Sequence, residues 1–206
     1  MKKIDVKVAD KVIELGKLAL QFARVNRITL YEDGKTPESD TDHTVMLSLI
    51  ACAVASEYKK GLNLGLVAQF ALVHDLVEVY AGDTPHLHGK AIDKSFLDKE
   101  KREAKALKRI EKEFGKVFPW IHKTIKKYEK FDTQEARFVK VLDKGMPKIT
   151  HSLNKMKVLR KHGYNKKVSK EAFKNQIDNI VATYGKDQKE ALEILKLLAK
   201  KALLSY

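Results

Sequence analysis

Residues Ala71 to Pro85 read ALVHDLVEVYAGDTP, and the interpretation of the chain works outward from them. The segment begins apolar, carries the adjacent pair His74-Asp75, then Glu78, and stops at Gly82-Asp83-Thr84-Pro85. On a helix, Phe70, Ala71 and Val77 share a face with His74, so the imidazole points the way the core residues point. Asp75 lies about 100° round that helix from His74, so one small ion between them can touch both side chains. Glu78 stands one turn beyond His74 on the same side. Gly82 is a helix stop, and Pro85 argues against immediate resumption. A carboxylate beside an apolar face is costly unless it is paired or bound to a metal. Alone, the pair has a plainer explanation: a hydrogen-bonded core histidine and a partly exposed aspartate.

The composition favours a helical chain. There are 206 residues, enough for one large domain or two small ones, and 44% are hydrophobic. Glycine and proline are scarce, at 10 and 4, while Ala, Leu, Lys and Glu are frequent. The formal net charge of +14 favours acidic partners such as nucleotides, nucleic acid or an anionic surface. The lysines, however, are spread over most helices and interleaved with Asp and Glu, even in the dense segments Lys99 to Lys108, Lys123 to Lys130 and Lys155 to Lys167. That pattern reads as solvated helix faces rather than a nucleic-acid groove. Cys52 is the single cysteine, which excludes an intramolecular disulfide and a cysteine zinc site. It sits in an apolar helical run and reads as a small core residue, and a reducing cytoplasmic setting is expected. Asp5, Lys7, Asp10 and Lys11 interrupt any leader-like apolar run, and no stretch approaches the roughly 20 apolar residues of a membrane span, so no membrane partner is expected.

Periodicity then assigns the elements. Val8, Val12, Leu15, Ala19 and Phe22 form an apolar stripe on a helix from Val6 to Val25. Arg27 to Asp40 reads as a loop turning at Asp33-Gly34, and Asp40 or Thr41 caps the next helix. His43 begins the stripe that Met46, Leu47 and Ile50 continue. One central helix is expected from about Asn63 to Tyr80, and Thr84 to about Ser95 reads as irregular. Further helices are expected at Phe96 to Phe114, Pro119 to Lys130, Thr133 to Lys144, Ser152 to Lys161, Ser169 to Tyr184 and Gln188 to Leu204. In the third of these, Asp143 falls on the stripe of Val139 and Leu142, and Gly145 and Pro147 should end or kink the helix just past it. Nothing resembles a flexible linker, so residues 1–206 are expected to form a single domain.

The inward candidates are therefore His43, His74, Asp75 and Asp143. Two imidazoles and two carboxylates on three apolar helices suit one hard-to-borderline divalent ion. Each residue alone has a structural explanation, but together they offset each other's desolvation cost.

This ordered set resembles the HD-domain metal phosphohydrolases: a His, then His-Asp, then a distant Asp. Glu38-Ser-Asp-Thr-Asp-His43, Ala71 to Glu78, Gly82-Asp-Thr-Pro85 and Glu135 to Asp143 look like the 5'-deoxynucleotidase branch, as does Arg27 shortly after the first helix. The resemblance covers about Ala23 to Ile149. It implies an all-α helical bundle of about eight to ten helices around one metal site, with a core at about 38–149 and C-terminal helices 152–204 packed on it. His43, His74, Asp75 and Asp143 would bind the ion, with Mn, Co, Mg, Ni and Zn all open. Glu78 would act beside it, Asp83 would line the sugar side, and Arg27 would contact the phosphate. A homodimer is also implied. Bacterial members carry a Trp after the Arg, crowding the sugar 2'-position; here Ile28 follows Arg27, so weaker discrimination between deoxyribose and ribose is expected.

Lys144, next to a ligand, is a candidate for attracting phosphate, as are His86 and His88 beside Asp83; His122, His151 and His162 read as surface residues. The expected activity is hydrolysis of a nucleoside 5'-monophosphate, with deoxynucleotides favoured. One competitor is release of intact triphosphate from a deoxynucleoside triphosphate. Another is a basic nucleic-acid-binding protein with a vestigial metal site.

Overall fold

A computed structural model describes residues 4–84, 86–87, 90–91 and 97–206. Helix α1 (Val6–Phe22) leads into an antiparallel hairpin, β1 (Asn26–Leu30) with β2 (Pro37–Ser39), followed by α2 (Asp40–Tyr58), α3 (Leu64–Val73) and α4 (Glu78–Ala81). A two-residue ladder follows, β3 (His86–Leu87) with β4 (Lys90–Ala91). The remainder is helical: α5 (Lys99–Phe114), α6 (Trp120–Glu129), α7 (Gln134–Asp143), α8 (Met146–Leu153), α9 (Lys157–Lys161), α10 (Lys166–Tyr184) and α11 (Lys189–Leu204). The fold is all-α, as expected.

Three clusters of buried apolar side chains organise these elements. Leu47 and Ala51 of α2, Val67 and Phe70 of α3, Phe138 and Leu142 of α7, and Leu195 of α11 form the central one. Leu18 of α1, Val73, Val77, Ile110 of α5 and Ile125 of α6 form a second. Met156, Leu159, Phe173 and Ala199 form a third, against which Ile28 and Leu30 of the hairpin pack. Each fully buried large side chain contributes about 1.5–3 kcal/mol. Cys52 is half-buried beside the central cluster, and burial pushes its thiol pKa up.

Several expectations need correction. The segment read as a loop after Arg27 pairs as a hairpin, Asn26 opposite Ser39 and Leu30 opposite Pro37. Its turn is closed by Asp33, whose carboxylate accepts the N–H groups of Lys35 at 2.7 Å and Thr36 at 2.9 Å, with Gly34 at φ 62°. Ser39, not Asp40 or Thr41, caps α2 in a reciprocal capping box with Asp42. In the α1 stripe, Phe22 is buried but Val12 is exposed. A helix runs over Met146–Leu153, with Pro147 in its first turn where a missing N–H costs nothing, and a separate short helix replaces the end of the expected Ser152–Lys161 element.

The central helix is not continuous. After Val73 the backbone tightens into i→i+3 bonds, with Leu76 N–H to Val73 O at 3.1 Å and Glu78 N–H to Asp75 O at 2.8 Å, before α4 begins at Glu78. Leu64–Ala81 is apolar enough by length and composition to resemble a membrane span, yet it folds as two shorter helices around this turn.

Candidate metal centre

The tightened turn places the ligands. Residues three apart eclipse in such a turn, so Asp75 and Glu78 stand on one side. Phe70, Ala71 and Val77 are buried as expected, and they carry His74 inward with them. His43 enters from the first turns of α2, and Asp143 from the last residue of α7.

Four ligand atoms converge. His43 Nε2 lies 3.1 Å from Asp143 Oδ1 and 4.0 Å from Asp75 Oδ2. His74 Nε2 lies 3.0 Å from Asp75 Oδ2 and 3.8 Å from Asp143 Oδ1. Metal bonds of about 2.1 Å put ligand atoms about 3.0 Å apart on an octahedral edge and about 3.4 Å apart on a tetrahedral one. The observed separations bracket these values. His74 Nδ1 donates to the Ala71 carbonyl at 2.8 Å, so in the neutral ring Nε2 is the nitrogen free to bind an ion. That Nε2 is buried and, among the described residues, has no hydrogen-bond partner, despite the 3.0 Å approach to Asp75. Glu38 Oε1 stands 3.4 Å from His43 Nδ1, a close approach without the well-aligned hydrogen bond that His74 makes. A buried lone pair aimed at a carboxylate fits a divalent ion with nitrogen and oxygen donors.

A second acidic group adjoins the first. Ligand atoms of Asp40, Asp75 and Glu78 lie within 4.8 Å of one another. Arg27 serves all three: its Nη1 donates to Asp40 Oδ1 at 2.9 Å and Asp75 Oδ2 at 3.0 Å, and lies 3.9 Å from Glu78 Oε2. Lys99 Nζ approaches Glu78 Oε1 at 3.7 Å and Glu103 at 3.3 Å. Lys144 Nζ holds Asp143 Oδ2 at 2.6 Å.

These contacts set the charges. Burial opposes ionisation of Asp75, but His74 and Arg27 hold its carboxyl well below the usual range. Asp143 is likewise held low against burial, by Lys144, His43 and Lys140. Glu78 differs: burial and then the Asp75, Asp40 and Asp83 carboxylates push its pKa well above the usual value, with Arg27 opposing. Asp40 is pushed up to about 6, chiefly by burial.

Of the residues expected at the site, His43, His74, Asp75 and Asp143 are together, Glu78 stands beside Asp75, and Arg27, Ile28, Asp83 and Lys144 line one adjoining cavity. His86 lies in β3, and His88 lies outside the described residues. His122 and His151 are buried, contrary to the surface reading. The sequence reading missed Asp40, Glu38 and Lys99, and it also missed Lys148 and Gln176 in the adjoining cavity. Asp40 had a signal: it precedes His43 by three positions on the same helix face.

The HD domain family model matches residues 21–191, and the chain belongs to that family. Its fold is that of a predicted metal-dependent phosphohydrolase from Magnetospirillum magnetotacticum MS-1, with a TM-score of 0.75 and 23% identity over 98% of this chain and 97% of that one. A conserved hypothetical protein from Pyrococcus furiosus superposes with a TM-score of 0.58 and 25% identity over 90% of this chain and 99% of its own. A protein from Pyrococcus horikoshii OT3 also gives 0.58, at 23% identity over 94% and 99%. No curated protein matches the sequence.

Proposed function

We propose that the protein is a metal-dependent phosphohydrolase that cleaves nucleoside 5'-monophosphates, deoxynucleotides among them, to nucleoside and phosphate. The observation that carries this reading is the convergence of His43, His74, Asp75 and Asp143 beside a cation-lined cavity. The name of the Magnetospirillum protein and the sequence resemblance to 5'-deoxynucleotidases support it.

When bound by these four residues, the ion supplies Lewis acidity to a phosphoryl oxygen and to water. The chain's own residues do the rest. Arg27 and Lys144 offer donors to the phosphate oxygens at the cavity wall. Glu78, held between Arg27 and Lys99, is placed to take the proton of the attacking water and return it to the leaving 5'-oxygen. Water adds its oxygen to phosphorus, the P–O5' bond breaks, and the nucleoside leaves as the alcohol. A screen of nucleoside mono-, di- and triphosphates with Mn, Co or Mg, identifying every product, tests the reading. Phosphate and nucleoside from monophosphates are expected; triphosphate released intact would replace the reading with its competitor.

We also infer a cytoplasmic homodimer. Exposed Val45, Leu72 and Trp120 rim an apolar groove of about 580 Å³ between α1, α2, α3 and α6, a surface that a second copy would cover. Sedimentation of the protein and of Leu72→Lys tests it, with dimer expected for the first and monomer for the second.

A further inference from the structure

Beyond the metal ligands, a cavity of about 70 Å³ shares Arg27, Asp143 and Lys144 with the centre and runs on to Ile28, Lys148 and Gln176. A phosphate held by Arg27 and Lys144 would have Ile28, Lys148 and Gln176 beside it for the group it esterifies. It has the room of a few water molecules, which suits a sugar edge rather than a nucleobase.

Lys148 is only 1% exposed. Lysines are almost never this buried unless they are paired with an acid. Among the described residues its two hydrogen-bond partners are neutral: the Lys144 carbonyl at 2.9 Å and the Gln176 side-chain oxygen. The Phe173 ring, 4.9 Å from Nζ, gives partial compensation. Burial pulls the Lys148 pKa down to about 7. A hydrophobic residue here would avoid that penalty, so the amine is costly to the fold. An ammonium has three donors, and two are used by these acceptors. Gln176 accepts through its oxygen, so its amide nitrogen is left to donate. Ile28 adds a small apolar stretch to the lining.

We propose that Lys148 and Gln176 form a specificity-determining pair that recognises a sugar hydroxyl of the leaving group, so that ribonucleoside 5'-monophosphates are accepted at least as well as their deoxy counterparts. The inference rests on the phosphohydrolase reading above and deepens it by naming the sugar. A site built to hydrogen-bond a hydroxyl discriminates against the analogue lacking it, because its own buried polar groups are then left unpaired.

The test is kcat/KM for a matched ribo and deoxyribo monophosphate, using the metal-loaded protein, Lys148→Met and Gln176→Leu. In the parent, the ribo substrate should be turned over at least as efficiently. Each variant should lower the ribo value by about 10- to 100-fold, mainly through KM, and leave the deoxy value within about threefold. Equal losses on both substrates would show that the pair is merely structural and would overturn the inference while leaving the activity standing. So would a parent that strongly prefers deoxyribose. No turnover of either substrate by the metal-loaded parent would overturn the functional reading and this inference with it. If Lys148→Met fails to fold, Gln176→Leu, at a half-buried position, still decides the matter.

Discussion

The metal centre and the Lys148 pocket are neighbours that handle buried charge in opposite ways. At the centre, charges come in opposed sets: Arg27 against Asp40 and Asp75, Lys144 against Asp143, and Lys99 against Glu78. In the pocket, a lysine is buried among neutral acceptors. The first arrangement is nearly self-compensating, so removing one member leaves an uncompensated charge. The second is only partly compensated, by two neutral acceptors and the Phe173 ring, and its removal should help the fold. The difference separates groups kept for binding an ion from a group kept for what enters beside it.

Breaking the centre should have the largest effect. His74→Ala removes a ligand, and its loss of bound ion should exceed the roughly 10–100-fold typical of outer-shell partners. Metal analysis of the purified variant checks this, and equal metal content in parent and variant would falsify the ligand assignment. Glu78→Ala should cost about 10²–10⁴ in kcat while the ion stays bound, because its proposed task is proton transfer. Metal content together with turnover separates it from His74. Glu38→Gln should weaken metal binding by about 10–100-fold if the carboxylate that faces His43 Nδ1 orients the ring when the ion is bound. A titration with metal reports it, and unchanged affinity would mean that the 3.4 Å approach is incidental.

The pocket side gives smaller effects. Ile28→Trp fills the cavity wall and should lower the ribo-to-deoxy ratio of kcat/KM by about 10- to 200-fold, the cost of a steric clash of about 1–3 kcal/mol. Lys148→Met should raise the Tm at pH 7 by about 2–4 °C, the shift that about 1 kcal/mol produces in a chain of this size. The pH dependence has a definite sign. Lys148 titrates at about 7 when folded, against 10.5 for the free side chain. Between those values the unfolded chain binds more protons, so this residue makes stability rise with pH over that window. The Tm advantage of Lys148→Met should therefore shrink from pH 7 toward pH 10. An advantage that grows with pH would contradict a lysine destabilised by burial.

The same contrast explains what was legible in the sequence. Asp75 and Asp143 stood out because each interrupts an apolar stripe, and a carboxylate there demands a partner. The break after Val73 was invisible because i→i+3 bonds kept Val77 on the same side as Phe70, so the apolar pattern continued through it. The hairpin was missed because β2 has three residues and starts with a proline, too little for alternation to register. Lys144, Lys148 and His151 fall at spacings of four and three, which is also the signature of a solvated helix face. The packing of α11 and β1 on α8, with Gln176 and Phe173 of α10 reaching Lys148, buries it, and such long-range contacts leave no local mark.

Arg27 has one more consequence. Its guanidinium already offsets part of the charge of Asp40 and Asp75, much as Lys144 offsets that of Asp143. The socket's carboxylates are therefore largely compensated before any ion arrives, and the chain can close around it without waiting for one. Loading then becomes a mass-action equilibrium on a finished fold, adding stability as RT ln(1 + [ion]/Kd). The melting temperature should climb with the logarithm of ion concentration, and chelation should yield an intact but inactive protein rather than an unfolded one.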